Sequence, residues 1–361
     1  MTNAVSIAQL GANNSSFTNR IINGGMVIDQ RNAGAAVTTN DAFPVDRFRL
    51  SFANSAGAFS GQQTTTAPAG FVNSLKYTTT TADASLGATE YAILYQAIEG
   101  LNFADLAWGS ASAATVTLSF WCRSSQTGTF GGSLRNSAGN RSYPFSYTIS
   151  AVNTWEYKTI TIAGDTSGTW LTTNGIGVYV SFGMGVGSTL SGTAGAWAAA
   201  NYIGATGAVN LIATLNADFY ITGVQLEKGS TATSFDYRPY GAELMLCQRY
   251  FQRLVAGGDY AAFSTGTVTS SSETFLFNQF IVPMRSAPSV TPSTLSNFQI
   301  ISGGTTTTVT SFLSRVGGVV ANSYVSINLD AVHGAVLTPG YAGTLINQPS
   351  TTPTLSFSSE L

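Results

Sequence analysis

Between Thr115 and Arg123 the chain alternates without a break. Val116, Leu118, Phe120 and Cys122 occupy one face, and Thr117, Ser119, Trp121 and Arg123 the other. A strand sends successive side chains to opposite faces, so a period of two demands an extended segment with one face on a core. Such one-sided strands belong to antiparallel sheets; parallel sheets are covered on both faces and need long crossovers, usually helical. Tyr143, Phe145, Tyr147 and Ile149 repeat the pattern. Val178, Val180 and Phe182 form another strand, Phe219 to Leu226 a further one, and residues 155–162 alternate less cleanly. From about residue 38 to 238 no helical pattern of ten or more residues intervenes, and Gly-rich turns separate the strands. The expectation is all-β, a jelly-roll sandwich of eight or more short strands.

Composition supports that fold class and narrows function. Of 361 residues only 9% are charged, against roughly 25% in an ordinary soluble domain. Gly (38 residues), Ser, Thr, Asn and aromatics stand in their place, and these suit strands and tight turns. Fifteen Lys and Arg against seventeen Asp and Glu leave a net charge of −2. So few, evenly spread cations make no basic stripe, and no nucleic-acid partner is expected. An apolar content of 44% excludes a disordered acidic chain. No window approaches 18 consecutive apolar residues, so no membrane insertion is expected. The absence of Lys or Arg before Arg20 argues against a secretory signal peptide. One histidine, His333, cannot build a His-rich metal site. Two cysteines, Cys122 and Cys247, make neither a four-thiolate zinc site nor a disulfide scaffold, and read as buried thiols.

Four segments follow. Residues 1–37 are polar and Gly/Asn-rich, with Asn23-Gly24-Gly25 suggesting a small hairpin; they form an N-terminal docking segment with too little apolar mass for a core of their own. Residues 38–238 are the jelly roll. At 239–254 the period changes: Leu244, Cys247, Phe251 and Leu254 fall at steps of three, four and three, the single apolar stripe of a short linking helix. Residues 255–361 are β again and predict a second, smaller β-sandwich, with a strand at Thr274 to Val282 ended by Pro283.

At the end of the jelly roll, FYITGVQLEKGSTATSF (Phe219 to Phe235) followed by RPYGAELMLCQRYFQ (Arg238 to Gln252) resembles a junction of tailed-phage structural proteins. INGGMVIDQR (Ile22 to Arg31), PVDRFRL (Pro44 to Leu50), VTLSFWCRS (Val116 to Ser124), TWEYKTITIAGDTSGTW (Thr154 to Trp170) and the ending LSFSSEL (Leu355 to Leu361) add to the likeness. It covers residues of about 20 to 254 well and the last block only through its ending. The resemblance implies a tail-fibre or head-fibre type virion protein whose jelly roll is similar to carbohydrate-binding modules. It further implies residence in the virion, assembly in a bacterial cytoplasm, host attachment, contacts to other virion proteins through residues 1–37, and a homotrimer. The helical stripe gives the trimer a possible seam, since its three-four spacing is that of a coiled coil; packing between the two β blocks of one chain explains the stripe equally.

The site candidates follow from these roles. Trp121 and Arg123 sit on the polar face of their strand, where an indole stacks on a pyranose and a guanidinium donates to hydroxyls. Tyr179, on the polar side of its strand, is expected in the same cleft. Trp197 lies in a Gly/Ala loop and is a fourth glycan-binding candidate, with burial against the sandwich as the plainer alternative. Carbohydrate modules of this shape often carry structural calcium, so Asp46, Asp218 and Glu227 are candidate metal ligands; no other cofactor is expected. No catalytic residue stands out. A Ser-His-Asp triad would have to use His333, which has no nucleophile-elbow motif nearby, and nothing in spacing selects a glycosidase pair of carboxylates. The chain reads as no enzyme. Alternatives are a purely structural baseplate, neck or capsid-decoration protein, and a polysaccharide-degrading tail fibre.

Overall fold

Alternation becomes pleated sheet in the computed structural model, which describes residues 18–53, 56–320 and 323–361. The chain divides into two units, one reaching Glu243 and the other covering Leu244–Glu360. The strands of the first are β1 (Arg49–Ala53), β2 (Ala58–Thr64), β3 (Ser74–Thr81), β4 (Tyr91–Glu99), β5 (Val116–Ser124), β6 (Gly128–Arg135), β7 (Ser142–Ile149), β8 (Glu156–Ile162), β9 (Ile176–Val186), a two-residue parallel pair β10 (Ser191–Gly192) and β11 (Gly204–Ala205), and β12 (Asp218–Lys228). Two five-stranded antiparallel sheets result. The front sheet has the order β2-β3-β12-β5-β8 and the back sheet β1-β4-β9-β6-β7. Strands from both halves of the sequence interleave in each sheet, as a jelly roll requires.

The alternation of β5 survives intact. Val116, Leu118, Phe120 and Cys122 are buried in the core between the sheets. Trp121 and Arg123 are half-buried on the outer face. Phe120 meets Tyr147 of β7 and Phe182 of β9 edge-on, with ring centroids 5.0 and 5.1 Å apart. One side chain of the front sheet thereby grips two strands of the back sheet, and such pairs add about 0.5–1.5 kcal/mol to simple area burial.

The N-terminal boundary moves. Residues 1–17 of the expected docking segment lie outside the described residues, and those that follow belong to the sandwich. Ile21 and Met26 join its core. The Asn23 amide donates to the Ile28 and Asp46 carbonyls at 2.8 and 2.9 Å and accepts from the Ile28 N–H at 2.9 Å. Asn23-Gly24-Gly25 is a turn rather than a hairpin, closed by Met26 N–H donating to Asn23 O. Gly24 is needed there, because a Cβ would stand 2.1 Å from the Val224 carbonyl oxygen. A segment without apolar mass for its own core has used the core next to it.

The linking helix is shorter than its stripe. Helix α1 spans Tyr240–Gln248, and Phe251–Val255 is strand β13. Leu244 and Cys247 are therefore helical, whereas Phe251 and Leu254 are not, and the four do not form one seam. Residues 251–255 pair in register with Thr354–Ser358. The Gln252 amide donates to the carbonyls of Gln248 and Val282, closing off the helix end. A helix of three or four turns is marginal in water, so a sheet partner from the far end of the chain prevails.

The second unit continues with β14 (Ala262–Ser270), β15 (Glu273–Met284), β16 (Ser289–Pro292), β17 (Phe298–Ser302), β18 (Thr305–Val320), β19 (Ser323–His333), β20 (Ala342–Asn347) and β21 (Thr354–Ser358). The expected second sandwich is replaced by a closed six-stranded barrel, β14-β15-β19-β18-β17-β20, beside a small sheet β13-β21-β16. β14 pairs with both β15 and β20, which closes the ring and leaves no open edge among the six. Val268, Leu276, Phe298, Ile300, Ile327, Leu329 and Leu345 fill the unit's core. Among the described residues no helix is long and apolar enough to cross a membrane.

Candidate functional site

Trp121 projects from the outer face of the front sheet, directly opposite Tyr157 of edge strand β8. The two rings are 5.4 Å apart and tilted by 46°. On its other side Trp121 pairs with Thr222 of β12, where the register breaks before Gln225. Gly223 sits in that bulge with φ +62°, and a Cβ on it would stand 2.6 Å from the Phe71 ring and 3.2 Å from Trp121. Only glycine supplies both the left-handed backbone and the clearance. The far wall is three mutually packed rings: Phe71 to Phe235 at 5.1 Å, Phe71 to Tyr237 at 5.5 Å, and Phe235 to Tyr237 at 4.8 Å. The Tyr237 hydroxyl donates to Gly70 O at 2.9 Å, tying the two loops together.

The result is a groove of about 690 Å³. Besides the rings it is lined by Ser119, Thr159, Thr231, Thr233 and Ser234; none of the described residues lining it is Asp, Glu or His. Tyr157 is 44% exposed and Tyr237 60%, so ring area is available from solvent. Aromatic faces with hydroxyls at their edges suit a ligand that is apolar on its faces and hydroxylated around its rim.

Other expected residues go elsewhere. Arg123 does not line the groove; its guanidinium lies 4.9 Å from the Tyr220 ring centroid and donates to Asn153 Oδ1 at 3.5 Å. Tyr179 is not in the same cleft, because β9 belongs to the back sheet. There it packs on Tyr95 at 5.6 Å and under Arg135 at 4.8 Å. Trp197 stands against Trp108, Tyr143 and Trp170 at 5.0, 5.2 and 5.4 Å, and its Nε1–H donates to Ala163 O at 2.7 Å. An indole with its N–H satisfied and three rings around it covers the core instead of offering a platform.

The proposed calcium set does not assemble. Asp46 holds Arg31 at 3.0 Å. Asp218 accepts from Thr78 at 2.6 Å and pairs with Lys76 at 3.3 Å. Glu227 accepts from the Thr233 amide and hydroxyl at 2.9 and 2.7 Å, which anchors the loop carrying the groove wall. Asp218 and Glu227 lie at opposite ends of β12, roughly 30 Å apart at about 3.3 Å per residue. The described residues contain no group of three or more His, Cys, Asp or Glu placed to hold a metal ion.

The motifs behind the phage resemblance have a structural explanation. Arg238 donates to the Asn19 and Ile21 carbonyls and pairs with Glu243 at 3.3 Å, while Glu243 accepts from the Asn23 N–H. Residues separated by about 220 positions thus close one end of the sandwich. In the barrel, His333 Nε2 is 3.0 Å from the Thr274 hydroxyl and Nδ1 is 2.9 Å from Gly334 O.

Sequence reasoning found Trp121 but not Phe71, Tyr157, Phe235 or Tyr237. Tyr157 lay in the less clean alternation, and the other three sit in turn-rich loops whose only signal is a large ring among small residues.

No protein-family model matches the chain, and no curated protein matches it either. Solved structures that match part of the chain include the enzymatically active domain of tailspike protein 4 of bacteriophage CBA120, at 13% identity and TM-score 0.31, covering 60% of this chain and 22% of that one. A family 11 carbohydrate-binding module from Clostridium thermocellum, in complex with a mixed-linked tetrasaccharide, has 13% identity and TM-score 0.27 over 57% of this chain and 99% of the module. A xylan-binding domain from Paenibacillus barcinonensis has 10% identity and TM-score 0.24 over 56% and 99%. These values assign no function to the chain.

Proposed function

We propose that the chain is a non-enzymatic, glycan-binding subunit of a phage virion fibre or spike, with the groove between Trp121 and Tyr237 as its glycan site. The supporting observation is the lining: ring faces and hydroxyls, with none of its described residues a carboxylate. Glycosidic hydrolysis needs two carboxylates across the scissile bond, so this lining favours holding a sugar over cutting it. The virion setting rests on the sequence resemblance. In that setting the chain attaches to other virion proteins through its N-terminal residues ahead of those built into the sandwich, and a homotrimer converts weak sites into avidity for host-surface glycan.

The test is binding of the purified, fluorescently labelled protein to host cells, with phage adsorption scored in competition. Saturable binding that blocks adsorption, reduced tenfold or more by Trp121→Ala, is expected. No binding at micromolar protein would overturn the reading in favour of a structural baseplate, neck or decoration protein whose groove seats another virion protein. Release of reducing ends from host polysaccharide would instead show a degrading fibre. Light scattering at three times 37.6 kDa is expected for the trimer.

A further inference from the structure

On the back face of the sandwich is a pocket of about 240 Å³, lined by Tyr91, Tyr95, Tyr179, Arg135, Asn201 and Ile203 among others. Arg135 ends β6. Its guanidinium lies over the Tyr179 ring at 4.8 Å, Nη1 donates to Asn201 Oδ1 at 2.6 Å, and Nε is buried without an acceptor. What this fork lacks is an anion. Arg31, Arg49 and Arg141 each hold a carboxylate at 2.6–3.2 Å. Arg49, which approaches the ring of Tyr95 at 5.9 Å, is neutralised by Asp41. Among the described residues no carboxylate pairs with Arg135, and its surroundings are burial and the three tyrosines. Burial lowers its proton affinity, yet a guanidinium stays charged in a protein. Keeping a half-buried cation partly out of water without a counter-charge beside it carries a cost. A surface pocket built around such a cation is arranged to take the missing charge from a ligand.

We propose that this pocket binds an acidic sugar residue, a hexuronate, with Arg135 anchoring its carboxylate and the tyrosine rings flanking the pyranose. The planar fork matches a carboxylate in two-point contact. The volume lies below the roughly 300–1,000 Å³ of drug-sized sites, which suits one ring and not a chain. The pocket belongs to the opposite sheet from the groove, so the inference stands whether or not the groove binds glycan.

The test uses the full chain at low ionic strength, titrated calorimetrically with D-glucuronate, D-galacturonate, D-glucose and glucose 6-sulfate. Uronate binding with Kd of about 1 mM or tighter, at least tenfold tighter than glucose, is expected. Arg135→Gln removes that preference, and Trp121→Ala leaves it unchanged. Because Arg135→Gln alters a half-buried position, Leu190→Trp provides a second variant: it fills the pocket from its rim, keeps Arg135, and also abolishes uronate binding at unchanged melting temperature. Uronates binding no tighter than glucose, or a preference that survives Arg135→Gln, would overturn the proposal. So would tighter binding of the sulfate ester, which would assign the fork to sulfate. A dimer that dissociates in Arg135→Gln would assign it to a second copy of the chain and equally sink the sugar.

Discussion

On the front face Trp121 and Tyr157 stand across neighbouring strands beneath two loops, and the spaces between the rings hold hydroxyls. On the back face Tyr95 of β4 and Tyr179 of β9 pack ring to ring at 5.6 Å, and Arg135 of β6 lies over the Tyr179 ring at 4.8 Å. Both faces use the same device, aromatic side chains on the solvent side of strands whose other side makes the core. They differ in charge and in enclosure: a neutral groove of about 690 Å³ against a cationic pocket of about 240 Å³. What distinguishes them is the polar group beside the rings, hydroxyls in the groove and a guanidinium in the pocket. In a chain with 9% charged residues, one arginine lining a pocket with no carboxylate beside it, among the described residues, is enough to separate two otherwise similar faces.

The change that should abolish the comparison is Phe120→Ala. Phe120 touches both sheets, so its loss is expected to cost about 3–5 kcal/mol and to lower both binding activities together, read by chemical denaturation alongside calorimetry. Loss of one face only, at full stability, would show that the two faces are not braced by this contact. Next is Gly223→Ala. A Cβ at φ +62° pressed against Phe71 is expected to cost about 1–3 kcal/mol. Groove binding should fall by at least tenfold while uronate binding stays within twofold; an unaffected groove would mean that the bulge does not shape it.

A smaller effect separates the faces by pH. Burial pushes the Glu156 carboxyl up, but Lys158 and the Ser150 and Ala151 amides outweigh it and hold the group below its usual 4.5. A carboxylate depressed by folding stabilises above its unfolded value, and that stability is lost as pH falls through the folded one. Below about pH 4.5, hydrogen exchange should therefore rise along β8, the strand of Tyr157, before it rises along β9. Equal exchange on both strands would contradict this. The smallest effect is ionic. Going from 0.01 to 0.15 M salt shortens the Debye length from about 30 to about 8 Å; uronate affinity should drop two- to threefold and neutral-sugar affinity should not change.

How far these faces could be read from sequence depends on the range of the cause. The outward side of Trp121 was legible because the period of two in residues 115–123 is local, and burial of Leu118, Phe120 and Cys122 determines where its neighbours point. The outward side of Tyr179 was legible for the same reason. Its sheet was not, since membership depends on strand order, and β9 lies between β4 and β6. The helix at residues 240–248 was legible as a change of period; its end was not, because Phe251–Val255 takes its partner from residues 354–358. Phe71 and Phe235 meet across 164 positions, a contact no local pattern records.

The amino-acid order alone therefore determined an all-β chain, the inward and outward sides of its clear strands, and a scarcity of charge that leaves aromatic and hydroxyl side chains to line its outer faces. Those are consequences of backbone geometry and of side-chain chemistry read over a few residues. Tertiary structure decided which outward rings face the same space, that six strands of the second unit close into a barrel, and that Arg135 lines a pocket with no carboxylate paired to it among the described residues. Fifteen cations beside seventeen acids look balanced in sequence. The imbalance at Arg135 exists only because folding has brought no carboxylate among the described residues into an ion pair with it.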